Sequence, residues 1–349
     1  TYSTPAIIAL LISAIYNIVD RMFVGNYVGD LGLAALSVCF PITFIMIGIG
    51  LLASAGGGTL FALKLGEKDM EGANRAFGNA FSYVLILELV VTVLLLLIGQ
   101  KFLRLLGASD VVYPMAKQYY DIVVFGSVFQ GLTFVLNDFT RVSGKVFLAL
   151  LITGSGAIVN IILDAIFVIG FGWGVQGAAL ATVIGQVIST LIGLWVIFGR
   201  KTILKPKKND FKLDPSIIQE ITKLGVALFI AQFAFGFISL IYNVYLGKYG
   251  GDLAISVYAI ISSIMTFVLM PASGLSQRMQ PIIGYCYGAK LYPRVKYMMK
   301  TGCLISIVIT TIIWILVQLF PSQLVYLFGC GQNEELMSLG VTAWRVNFS

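Results

Sequence analysis

The sequence predicts an all-helical, polytopic membrane protein. Hydrophobic residues make up 58% of the 349 and charged residues only 11%, against about 25% charged in a soluble domain. Mean hydropathy is +0.94, and apolar runs long enough to cross a bilayer, ~20 residues each, recur from end to end. These values exclude a soluble enzyme of ordinary composition, a disordered chain, a coiled coil and collagen. The length allows roughly nine or ten spans and no sizeable soluble domain. Thirty-seven glycines suit a bundle whose helices approach closely.

In chain order, the predicted spans are 4–25, 33–63, 77–99, 111–137, 146–170, 174–198, 217–247, 253–287 and 295–320; a tenth starts near Glu334 and is cut at Ser349. Several exceed the minimum, so the helices tilt, kink or reach past the bilayer surface. Pro41 and Pro271 are candidate kinks. The chain opens inside a membrane-like segment, with no cleavable signal visible.

Loop charge predicts the orientation. With the first span running outward, the loops on the starting side hold sixteen Lys and Arg and the opposite loops four, so the N-terminus is expected inside. Residues 200–216 form the long polar connection, rich in Lys, and Asp214-Pro215 reads as an N-cap with Pro at the first helical position. Three regions follow: a first lobe over 1–199, a cytoplasmic linker over 200–216 and a second lobe over 217–349.

The halves read as repeats. Residues 24–31 (VGNYVGDL) match 246–253 (LGKYGGDL) at an offset of 222, and Leu65-Gly66 before Lys68 matches Tyr287-Gly288 before Lys290 at the same offset. Leu106-Gly107 matches Phe328-Gly329 likewise. Six spans per repeat give both copies one orientation. On that count, a twelve-helix protein is expected, of which this chain lacks the C-terminal end.

Composition also narrows the chemistry. There is no histidine, so proton chemistry in the membrane falls to carboxylates. The four cysteines lack CxxC spacing and imply neither metal site nor disulfide framework. The net charge of +7 sits in loops, which the positive-inside bias explains without nucleic acid. Gly56-Gly57-Gly58 lies in an apolar helix with no GK[ST] after it, so close packing accounts for it better than a phosphate loop.

Ionisable side chains in a bilayer cost at least ~2.5–3.5 kcal/mol each and mark function by default. From the helical rise, Asp20 lies about 7–8 Å below the outer end of the first span. Asp164 lies about 9 Å down in the fifth, and Thr182 roughly 12 Å down in the sixth. Asn160 shares the face of Asp164; Asn17 and Tyr16 share that of Asp20. Such oxygens at one level are ligands for a small hard cation, or a carboxyl pair of which one member holds a proton. The competing reading is helix–helix hydrogen-bond glue. Asp121, between tyrosines, is a cavity-lining candidate, Glu88 belongs to an ion pair or to transport, and Arg21 snorkels outward. Adding 222 to Asp20 gives Tyr242, so a carboxylate-bound coupling ion belongs to the first lobe.

The segments 17–25 (NIVDRMFVG), 160–164 (NIILD) with 172–182 (GWGVQGAALAT), and 280–284 (QPIIG) with Tyr287-Gly288-Ala289 resemble the multidrug and toxic compound extrusion (MATE) transporters, of prokaryotic type. The resemblance spans the whole chain. It implies a non-enzymatic, multi-pass transporter of the bacterial cytoplasmic membrane, monomeric in a lipid bilayer, with twelve helices in two lobes. Its cargo would be amphipathic, often cationic compounds, extruded against inward H⁺ or Na⁺ with no bound cofactor. Asp20, Tyr16, Asn160, Asp164 and Thr182 match the family's coupling positions. Tyr119 and Asn137 match its fourth-helix positions, in the substrate cavity with Asn17, Asp121, Gln277 and Arg278. Arg278 departs from the family, which usually has Gly there. A flippase for lipid-linked oligosaccharide or peptidoglycan precursor, of the same superfamily, is the alternative, and a non-transporting receptor or scaffold the third.

Overall fold

The computed structural model describes residues 19–199 and 201–320 together with Gln323 and Trp344; within its helices, the side chains of residues 100, 256, 259, 263, 264, 266, 267, 269–271, 273, 277 and 278 lie outside that description. The predicted first span is thus seen only from residue 19. The predicted tenth span, apart from Trp344, lies outside the described residues.

All regular structure among the described residues is helical. Helix α1 covers residues 19–27. It is followed by α2 (Asp30–Gly66), α3 (Met70–Leu105), α4 (Tyr113–Val142), α5 (Val146–Asp164), α6 (Gly174–Phe198), α7 (Pro215–Gly288) and α8 (Tyr292–Leu319). Seven helices among the described residues are long and apolar enough to cross a bilayer. Helix α3 presents Leu89, Val93, Leu94, Leu97 and Ile98 outward, an apolar belt that suits hydrocarbon rather than water. At 37 residues, α2 is about 55 Å long against a ~30 Å core, so its ends project beyond the membrane. Pro41 sits buried inside α2, which continues through it.

Helix α2 is the hub, packing against α3, α4 and α7, while α4 and α5 both pack on α6. Two large apolar clusters form around α2. One gathers Val38, Cys39, Ile42, Met46, Tyr120 and Val124; the other gathers Phe61, Phe77, Val84, Leu136, Phe139 and Ile221.

The offset of 222 recurs in the backbone itself. Helix α7 is interrupted at Gly251 (φ 66°, ψ −166°), and the break between α1 and α2 falls at Gly29 (φ 87°, ψ −166°). Both positive-φ residues other than glycine among the described residues, Lys68 (φ 62°) and Lys290 (φ 59°), are separated by the same step. So are the turn hydrogen bonds Asp69 N–H to Lys64 O and Leu291 N–H to Cys286 O. Helices α3 and α8 start 222 residues apart as well.

The connection between α6 and α7 is ordered against α3. It includes a 3₁₀ turn (Lys208–Phe211), and the Asp214 side chain caps α7 at Ser216 N–H with Pro215 at the first helical position, as the dipeptide predicts.

Candidate functional site

Helices α1, α5 and α6 build the site. Gly156 and Gly185 let α5 and α6 meet backbone to backbone: a Cβ on Gly185 would lie 2.7 Å from the Gly156 carbonyl oxygen. One turn along from that crossing is Asn160, whose amide N–H donates to the Thr182 hydroxyl at 3.4 Å. A further turn brings Asp164, which is fully buried and is the last residue of α5. The chain then widens into a π-helix (Ala165–Gly170), a form that occurs often at functional sites. Phe167 within it stacks on Phe171 and Trp173.

From α1, Asp20 enters the same space at 9% exposure. Its carboxyl group meets that of Asp164 side chain to side chain. Asp20 Oδ1, Asn160 Oδ1 and both carboxylate oxygens of Asp164 are buried and receive no hydrogen bond among the described residues. A buried acceptor left without a donor costs about 1–3 kcal/mol, more when charged. Simple helix glue would have paired these oxygens; its trace among the described residues is the long Asn160–Thr182 bond, at the edge of hydrogen-bond geometry. Four buried acceptors lacking donors, three of them on the paired carboxyl groups and one a turn away on α5, suit a proton or a small hard cation.

The sequence-predicted residues fare unequally. Asp20 lies against Asp164, and Asn160, one turn before Asp164 on α5, meets Thr182. Tyr16 and Asn17 lie outside the described residues, as do the side chains of Gln277 and Arg278. Tyr119 is half-buried against the cluster of Val24, Leu36, Val168 and Val175 beside the acids. It also lines a small hollow with Cys39, Thr43 and Met46. Asn137 donates to the Ala149 carbonyl on α5 at 2.8 Å. That carbonyl is eleven residues before Asn160, about 16 Å along the helix, so Asn137 stands well apart from the carboxyl pair.

Asp121 is engaged on its own helix. Its side chain is 45% exposed and pairs with Lys117 at 2.5 Å. The helical phase explains this: Tyr120 turns inward and donates to the Leu95 carbonyl at 2.7 Å, and the next residue, 100° on, faces out. Arg21 does not simply snorkel; its guanidinium stacks 4.3 Å over the Phe40 ring of α2. Glu88 is 1% exposed and lies against Ser127 and Gly131 of α4, with no ion-pair partner among the described residues.

Comparison with known proteins decides the family. A model described as MatE matches residues 5–166 and 227–347. The chain belongs to the MatE family. It is 29% identical over 331 residues to the "Multidrug export protein MepA" of Staphylococcus saprophyticus, covering 94% of this chain and 72% of that one. It is 28% identical to the protein of the same name from Staphylococcus aureus, covering 95% and 73%. Among solved structures, the "MATE multidrug transporter DinF-BH" superposes with a TM-score of 0.87 at 32% identity, covering 97% of this chain and 76% of that one. An outward-facing "multidrug resistance MATE family transporter of the MOP superfamily" superposes at 0.86, covering 98% and 76%; at 24% identity, that likeness concerns the fold alone.

Sequence reading missed several polar joints of this MatE chain. Ser37 of α2 donates to Asn243 Oδ1 of α7 at 3.1 Å, and the Asn243 amide donates back to the Ser37 carbonyl at 2.8 Å. Gln280 donates to the Thr59 hydroxyl and to the Ala55 carbonyl. Ser54 donates to Asp138, which also pairs with Arg141 at 2.6 Å. Polar residues within apolar runs were the signal, but their partners are up to 225 positions away in sequence.

Proposed function

We propose that this protein is a secondary antiporter exporting amphipathic, often cationic compounds in exchange for H⁺ or Na⁺ by alternating access. The observation that carries the reading is the meeting of Asp20 and Asp164 in the first lobe, with four buried oxygens that no described protein group satisfies. The names of the MepA relatives and of the DinF-BH structure support drugs as the cargo.

In this mechanism, a cation taken up between Asp20 and Asp164 cancels negative charge between α1 and α5. Asn160 and Thr182 complete its oxygen shell, and Tyr16 is the further coupling position that the family resemblance implies. A cation that bound both conformations equally would shift nothing, so its site must differ in geometry between them. The π-helix after Asp164 supplies a joint at which α5 can repack. Loss of the charge pair's repulsion closes the α1–α5 contact and expels the cargo, for which Tyr119, Asn137, Asn17, Gln277 and Arg278 are the positions proposed from the sequence. The architecture that goes with this mechanism is twelve helices in two parallel repeats. The protein acts as a monomer in the bacterial cytoplasmic membrane with its N-terminus in the cytoplasm, as the loop charges favour. The flippase alternative leaned on Arg278, whose side chain is outside the described residues, and nothing else favours it.

The test is transport in proteoliposomes under an imposed H⁺ or Na⁺ gradient. Asp164→Asn should fold and insert normally, yet export a fluorescent cationic dye no faster than protein-free vesicles. Gradient-driven export at the wild-type rate in that variant would remove the proposed role.

A further inference from the structure

The segment joining α6 to α7 is held as a strap along the polar end of α3. Asn74 accepts from Lys205 N–H at 3.0 Å, and Asn79 both donates to the Asp210 carbonyl at 3.2 Å and accepts from Asp214 N–H at 2.7 Å. Ser82 donates to the Phe211 carbonyl at 2.9 Å. Gly78 makes the close approach possible: a Cβ there would fall 2.2 Å from the Asp210 carbonyl oxygen. Leu204 is fully buried, and Phe211 packs on Phe77, Phe81 and Phe198.

With the inner face so engaged, the outer face is chemically one-sided. Lys201, Lys205, Lys207, Lys208 and Lys212 are all exposed, and none forms an ion pair among the described residues. The strap's own acids are committed elsewhere. Asp210 accepts from Lys207 N–H at 2.6 Å, and Asp214 caps α7 and pairs with Arg75 at 2.6 Å. Beside the lysines, Ile203, Leu213, Trp195 and Phe198 are exposed apolar side chains, and the Lys201 ammonium sits 5.4 Å over the Trp195 ring. Ammonium groups on an ordered backbone, flanked by an aromatic at a helix end, match the boundary between headgroups and acyl chains.

We infer that the 201–212 strap is a binding surface for anionic phospholipid headgroups of the leaflet on its side of the membrane. The lysines engage the phosphates while Trp195, Phe198, Ile203 and Leu213 contact the acyl boundary. Lysines that served insertion topology alone would be indifferent to which lipid lies beside them. Because the strap joins α6 to α7 and lies on α3, headgroups held there brace the connection between the two halves.

The test is a titration of the purified full chain with phosphatidylglycerol against phosphatidylcholine, read by native mass spectrometry. The strap is held by backbone groups and by Asn74, Asn79 and Ser82 rather than by lysine ammonium groups. K205Q/K207Q/K208Q therefore keeps the fold, which size exclusion checks. That variant should lose about tenfold or more in apparent phosphatidylglycerol affinity. The charge-matched control R294Q/K296Q/K300Q, at the start of α8, should change it by less than about twofold. Raising NaCl to about 0.5 M should bring wild type down to the strap variant, and inorganic phosphate should not compete. Equal losses in both triple variants, no loss in either, or displacement by free phosphate would each overturn the assignment.

Discussion

Residues 20 and 242 stand at the same place in two copies of one backbone pattern, yet their surroundings differ. In the first copy, Asp20 is buried against Asp164. In the second, Tyr242 is 44% exposed and stacks on Tyr258 at 4.9 Å with the rings nearly parallel. Helix breaks, turn hydrogen bonds and helix starts repeat at 222 residues; the carboxyl pair does not. Backbone geometry is set by glycine at the breaks and by turn bonding, and neither constrains what a side chain one helical face away must be. Duplicated architecture therefore says little about duplicated chemistry.

The largest effect that sharpens this contrast is Asp20→Asn, which should remove the dependence of export on the driving ion, leaving at most downhill leak in a proteoliposome assay. Should Asp20→Asn and wild type show the same gradient dependence, the two copies would be equivalent in coupling and the contrast would fail. Next comes Thr182→Val, which deletes one oxygen of the shell and keeps the volume. Its apparent affinity for the coupling ion should drop by about five- to tenfold, worth ~1–1.5 kcal/mol, as read from the ion dependence of transport. Tyr242→Phe, at the position in the second copy that corresponds to Asp20, should alter that affinity by less than about twofold, within the ±0.5 kcal/mol of a site without a special role.

The smallest effect concerns the repeated turn. Asp69 caps α3 by accepting from Gly72 N–H at 2.8 Å, whereas Leu291, its counterpart 222 residues on, caps α8 with no side-chain bond. Leu291→Asp should raise the unfolding free energy by about 0.5–1 kcal/mol, and Asp69→Ala should lower it by ~1 kcal/mol. Denaturation in mild detergent measures both.

Most helix positions were legible because hydrocarbon demands long apolar runs, and these end where Gly, Pro and charge begin. The rise of a straight helix placed Asp20 and Asp164 near one level, and the two carboxyl groups lie side by side. What escaped was whatever depends on phase or distant partners. The α-to-π change after Asp164 has no local signature, since its residues are as apolar as those before it. The Lys117–Asp121 pair at i and i+4 and the inward turn of Tyr120 one residue earlier differ by one step of 100°, which composition does not reveal. The docking of the strap rests on Asn74, Asn79 and Ser82, bonded to backbone more than 120 positions away, which no reading of a linker's composition reveals.

Uptake of the coupling ion by the Asp20–Asp164 pair, as proposed, is open to direct measurement. Direct counting tests it: proton release and Na⁺ binding are measured on purified wild type, Asp20→Asn and Asp164→Asn across a pH series. The account predicts one ion-linked binding event in wild type that disappears in both variants while each remains folded. Undiminished binding in Asp164→Asn would contradict it.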